Sequence, residues 1–91
     1  MKKEIPKNEL HTKYYDSGQK KLETNHKDGM LDGKLTSWYE SGQIKSENNY
    51  KDGKKDGKWT GWHENGQIAG DATFKDDKCI SGDCNPFDSL L

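Results

Sequence analysis

The two cysteines of the chain, Cys79 and Cys84, are separated by Ile80-Ser81-Gly82-Asp83, and that spacing bounds their chemistry. A redox pair needs a two-residue spacer, and a four-sulfur metal site needs two more thiolates. Two readings remain: a local disulfide that closes the end of the domain in an oxidising compartment, or free thiols in a cytosolic protein. A bridge this short in sequence contributes about 2 kcal/mol through the chain entropy it removes. His11, His26 and His63 suggest metal or acid–base work, but they occupy different strands at positions where other parts of the chain carry Leu, Tyr or Trp, so they read as substitutes for larger rings. The Asp-Gly-x-x-Asp-Gly segments at 28–33 and 52–57 gather carboxylates without the ligand series of a calcium loop, and turn chemistry accounts for them. No Ser, His and Asp set, carboxylate pair or phosphate loop stands in a catalytic pattern. The expectation is a non-enzymatic chain with no cofactor and no metal.

The most regular spacing belongs to aromatic residues. Tyr14-Tyr15-Asp16-Ser17-Gly18-Gln19, Trp38-Tyr39-Glu40-Ser41-Gly42-Gln43 and Trp62-His63-Glu64-Asn65-Gly66-Gln67 follow one another at intervals of 24 residues. A fixed period of this length marks a repeat protein whose units cannot bury an apolar face alone. Tyr14, Trp38 and Trp62 then form a ladder whose rungs lie about 9.5 Å apart, twice the strand spacing. Lys21 and Lys45 are expected between them. Such a face can dock a protein, stack a planar or sugar-like ligand, or simply shield the sheet.

The elements that must carry these residues are β-hairpins. Gly18, Gly42 and Gly66 each follow a small polar residue between two alternating stretches, which predicts two-residue turns. With Glu40 opposite Gln43, one face collects Leu35, Tyr39, Ile44 and Tyr50, and the next unit adds Trp59, Ile68 and Phe74; these seven are the predicted core. The other face carries Trp38 with Lys45. The Lys-Asp-Gly segments reverse the chain between hairpins. No apolar stripe of period 3.6 is present, so helix is not expected. The fold class is all-β: an antiparallel meander of about six strands, stacked as β-hairpins into an elongated single-layer sheet. The organisation is an N-terminal arm (1–10), a three-unit repeat domain (11–84, with units near 11–33, 34–57 and 58–82) and a C-terminal tail (85–91). The first unit, with fewer apolar residues, reads as a cap.

Composition narrows the classes further. Leu, Ile, Val and Phe number 12 of 91, a range typical of disorder, but 15 Lys nearly balance 16 acidic residues, and Tyr and Trp at repeating positions supply the missing apolar surface. The absence of Arg removes the side chain best suited to phosphate and guanine, so nucleic acid is not the expected partner. No apolar run of membrane-spanning length occurs. Met1-Lys2-Lys3 opens like a secretory leader, but Glu4-Ile5-Pro6-Lys7-Asn8 follows where an apolar run is needed. The compartment is therefore cytoplasmic, or the cell envelope or exterior if a leader has been removed and the cysteines are oxidised.

Paired aromatics, two residues, Gly-Gln, an alternating strand, then Lys-Asp-Gly and a second Asp-Gly resemble the bacterial variant of the MORN repeat over about residues 11–83. The resemblance implies a rod-like stack of hairpins, and relatives of this kind are often labelled antitoxin components. The functional expectation is a scaffold that binds a partner protein through the aromatic face. The alternatives are a cell-surface module for choline or carbohydrate, and an antitoxin that masks a toxin. Open sheet edges leave backbone groups unpaired, so an edge-to-edge homodimer is a further expectation.

Overall fold

The computed structural model describes residues 8–84. Among them nine antiparallel strands form one open sheet: β1 (Asn8–Tyr14), β2 (Lys20–Lys27), β3 (Met30–Leu31), β4 (Gly33–Trp38), β5 (Ile44–Lys51), β6 (Lys54–Lys55), β7 (Gly57–Trp62), β8 (Ile68–Lys75) and β9 (Lys78–Gly82). Neighbours follow the order β1-β2-β4-β5-β7-β8-β9, with β3 beside β2 and β6 beside β5. The expected all-β stack of hairpins is present, with three strands beyond the expected six. β1 begins within the stretch assigned to an N-terminal arm, whereas residues 1–7 and the tail 85–91 lie outside the described residues.

Two kinds of turn alternate. At Asp28-Gly29 and Asp52-Gly53 both residues have positive φ (52° and 83°, 50° and 82°), the requirement of a two-residue type I′ hairpin. Asp76-Asp77 reproduces this turn with φ of 49° and 71°, so Asp77 takes the backbone role of the missing Gly. These turns create the short strands β3 and β6 and the start of β9. At the aromatic segments the turn is longer than predicted. The Tyr39 N–H donates to Gln43 O at 2.8 Å and the Gly42 N–H to Tyr39 O at 2.9 Å, which closes a three-residue loop, Glu40-Ser41-Gly42, with positive φ only at Gly42. In the first and third units the side chain before the glycine favours this loop by accepting from the backbone N–H just past the glycine. Asn65 Oδ1 takes the Gln67 N–H at 2.9 Å, and Ser17 Oγ takes that of Gln19 at 3.4 Å.

The extra loop residue shifts the register near each aromatic turn. Ser37 faces Ser46 and Leu35 faces Asn48 as expected, but a bulge follows and Trp38 faces Ile44 instead of Lys45. Trp62 likewise faces Ile68. Cross-strand partners share a face, so Ile44 and Ile68 leave the predicted core side. Both are exposed, Ile68 at 60 %.

The core therefore sits toward the C-terminal half. Trp59, Ala72 and Phe74 are buried, with Phe74 and Ala72 each 1 % exposed, and Tyr50 and Cys79 pack against them. The Tyr50, Trp59 and Phe74 rings follow one another at 5.3 Å and 5.1 Å between centroids. Leu35 and Tyr39 are half-buried. Cys79 and Cys84 are joined as a disulfide, with Cα atoms 5.8 Å apart, and tie the start of β9 to the chain that follows it.

Lys55 is the least expected core residue, at 5 % exposure. Its Nζ lies 5.1 Å from the Trp59 ring centroid and 5.0 Å from that of Phe74, within cation–π range of both. Its backbone N–H donates to Asp77 Oδ1 at 2.8 Å. Burial, and secondarily the Asp77 carboxylate, raises the pKa of the cross-strand neighbour Tyr50 above its ordinary 10.0. Folding thus favours the neutral phenol. Its contribution is fully present below the unfolded pKa and is lost as pH rises through the higher folded value. Denaturation curves across that alkaline window should fall more steeply for the native chain than for Tyr50→Phe; superimposable pH dependences would refute this account.

Candidate functional site

Tyr14, Trp38 and Trp62 each stand at the last residue of β1, β4 or β7, one residue (Tyr15, Tyr39 or His63) short of the three-residue turn. Cross-strand pairing sets Lys20 opposite Tyr14, Ile44 opposite Trp38 and Ile68 opposite Trp62. One face thus carries a stripe reading Tyr14, Lys20, Trp38, Ile44, Trp62, Ile68 along the sheet. Tyr14 is 58 % exposed, Ile44 38 % and Ile68 60 %. Lys20 Nζ lies over the Trp38 ring, 5.7 Å from its centroid. Gln43, Ile44, Trp62 and Gly66 line an open cleft of about 340 Å³ between the second and third hairpin tips.

Lys21 and Lys45 are not rungs of this ladder. Lys21 Nζ lies over the Tyr15 ring at 5.5 Å and Lys45 Nζ over Tyr39 at 5.7 Å. The bulge that turns Ile44 toward Trp38 carries Lys45 to the second aromatic of the pair. Lys20, Ile44 and Ile68 are the members that the two-residue turn concealed. The clue was available: Ser-Gly and Asn-Gly preceded by two bulky residues also fit a three-residue loop with a single left-handed glycine.

The second aromatic of each pair fastens the units together. Tyr15 Oη donates to the Trp38 carbonyl at 2.8 Å, and Tyr39 Oη to the Trp62 carbonyl at 2.7 Å. Each phenol thereby fixes the backbone that presents the next tryptophan. Tyr39→Phe is expected to cost about 1 kcal/mol, the net worth of one such bond, read as a lower denaturation midpoint. No change would show that the contact is not needed for stability.

A second joint lies beside the Asp-Gly turns. Asn25 Nδ2 donates to Lys34 O at 2.9 Å and Asn49 Nδ2 to Lys58 O at 2.8 Å. A Cβ on Gly57 would stand 3.2 Å from Asn49 Cβ, so the glycine admits this close approach.

The middle of the aromatic face is polar. Thr12, Glu23, Thr36, Glu47, Thr60 and Asp71 succeed one another across adjacent strands. Lys20 pairs with Glu23 at 3.2 Å and Lys58 with Asp71 at 3.6 Å. The apolar stripe is therefore bordered on one side by charge pairs, the arrangement of an interaction patch with a polar rim. His11 and His26 meet edge to face at 4.8 Å on the opposite face, and His63 stands at the turn position held by Tyr15 and Tyr39 in the other units.

This geometry, a sheet of bulged hairpins locked at a 24-residue period with an aromatic at every tip, defines a β-hairpin repeat module. A family model described as the MORN repeat variant matches residues 31–52 and 55–76. These two segments are thus similar to the MORN repeat variant. Each match opens on the second residue of a short strand, Leu31 or Lys55, and the first hairpin lies outside both. Comparison with curated proteins and with solved structures finds no match. Among the described residues, no helix is long and apolar enough to cross a membrane.

Proposed function

We propose that this chain is a non-catalytic repeat scaffold that docks a partner protein through the stripe Tyr14, Lys20, Trp38, Ile44, Trp62 and Ile68. The observation that supports it is the exposure of Ile44 and Ile68 beside Trp38 and Trp62. These two isoleucines stand in solvent in line with three aromatic residues, at the tips of successive hairpins. Aromatic anchors set in an apolar strip are where binding energy concentrates. A complementary partner would present an extended apolar segment with acidic residues facing Lys20.

The test is capture of a partner by the native chain beside a Trp38→Ala/Trp62→Ala double variant and an Ile44→Lys variant, with Lys51→Ala at the far end of β5 as control. Loss of affinity by at least about tenfold in the two stripe variants, with the control unchanged, is expected; each truncated anchor need remove only about 1.4 kcal/mol. Equal affinity of native and double-variant chains would show that the stripe is not the docking face.

A further inference from the structure

The two edges of the sheet are unlike. At the C-terminal edge, β9 is interrupted by a bulge opposite Thr73 and Phe74, carries Gly82 at a φ of 86° and is tied by the Cys79–Cys84 disulfide. Such irregularities blunt an edge against further pairing. At the N-terminal edge, β1 runs seven residues, Asn8–Tyr14, its pairing with β2 regular through Lys13, with no proline and with no strand on its outer side among the described residues.

The alternation of hydrogen bonds identifies which groups of β1 face outward. The Asn25 carbonyl accepts from the Asp32 N–H at 2.9 Å, so the backbone groups of Asn25 point toward β3 and β4. Its partner on the other side, Leu10, therefore belongs to a non-hydrogen-bonded pair and directs its own N–H and C=O away from β2. Thr12, two residues on, does the same. These are unused ladder positions on a regular strand.

We infer that β1 pairs antiparallel with β1 of a second copy of this chain, about a two-fold axis at His11. His11 is the midpoint of Asn8–Tyr14, so this register overlaps the strand along its full length. Leu10 and Thr12 of each copy then exchange backbone hydrogen bonds with Thr12 and Leu10 of the other. Charge selects the same register. Glu9 and Lys13 lie on one face with His11, and an axis at His11 sets each Glu9 opposite the Lys13 of the other copy, twice. Among the described residues Glu9 pairs with the neighbouring His11, at 2.6 Å, and the side chains of both are about half exposed. Shifting the axis to Thr12 would instead oppose His11 and Lys13. On this face a groove of about 420 Å³, lined by residues that include Leu22, Leu31 and Leu35, lies just inside β1. Pairing brings the grooves of the two copies to either side of the axis. The contact is isologous and closes at two copies, because the other edge is blunted. It is separate from the aromatic stripe and stands or falls independently of it.

The test is sedimentation of the full chain over a concentration series. The native chain should pass from monomer to dimer. Glu9→Lys alone and Lys13→Glu alone, each opposing like charges, should weaken the dimer at least about tenfold. Mixing the two variants should restore dimer, because each Lys then meets a Glu. Thr12→Pro removes an outward N–H without touching the β1–β2 ladder and should give a monomer with an unchanged far-ultraviolet spectrum. A native chain that stays monomeric throughout, a dimer indifferent to Glu9→Lys, or a mixture that fails to recover the dimer would overturn the inference.

Discussion

Phe74→Ala should lower the stability of this domain by about 3–5 kcal/mol, the range for truncating a fully buried phenylalanine. Phe74 is 1 % exposed and abuts the Trp59 ring, and the Lys55 ammonium lies 5.0 Å from its centroid. Truncation therefore leaves a cavity and also removes one of two aromatic faces from a buried cation. Domains of this size have about 0.05–0.15 kcal/mol of stability per residue, so such a loss removes at least about a fifth of the total. Chemical denaturation read by tryptophan fluorescence would measure the loss. A change below about 1 kcal/mol would place the stabilising core elsewhere. Truncating Ile68, on the exposed stripe, is expected to have a much smaller effect.

Gly82→Ala should cost at least about 2 kcal/mol for a different reason. Its φ of 86° lies where an L side chain is disfavoured, a penalty of about 1–2 kcal/mol by itself. A Cβ there would also stand 2.3 Å from the Asp71 carbonyl oxygen and 2.8 Å from Ala72 Cα, both backbone atoms of β8. No rotamer can relieve that approach; β9 must move away from β8. Loss of the Asp83 N–H to Asp71 O bond, 2.7 Å long, would follow. Amide exchange at Asp83 should accelerate along with the fall in stability. Gly29→Ala provides the comparison, since a Cβ there meets nothing within 4 Å and only the backbone penalty remains. Equal costs at the two glycines would remove the clash from the explanation.

Much of the architecture was legible because the chain repeats it. Pairings such as Ser37 with Ser46 and Trp59 with Ala72 follow from alternation once the hairpins are recognised. Turn type was harder to read. Whether a small residue before glycine enters the left-handed region decides between a two-residue and a three-residue loop. Asp28 and Asp52 enter it; Ser41 and Asn65 do not. That one-residue difference moved Ile44 and Ile68 from the predicted core to the exposed stripe, and replaced Lys21 and Lys45 by Lys20 beside Trp38. Lys55 was hidden by its type, since lysine is seldom buried. Its position was not hidden, because it is the counterpart of Leu31 and Cys79 in the other units.

The phenol contacts from Tyr15 to the Trp38 carbonyl and from Tyr39 to the Trp62 carbonyl have a consequence for how such a chain evolves. The donor belongs to one unit and the acceptor to the next, and the acceptor is backbone, so any unit with an ordinary carbonyl at that place completes the bond. An in-frame duplication of the second unit, which carries both Tyr39 and Asn49, therefore inserts a unit whose two joints already fit its neighbours. Deletion of one period rejoins the same surfaces. Length can change by recombination without compensating substitutions, and each gained unit brings another aromatic residue to the stripe.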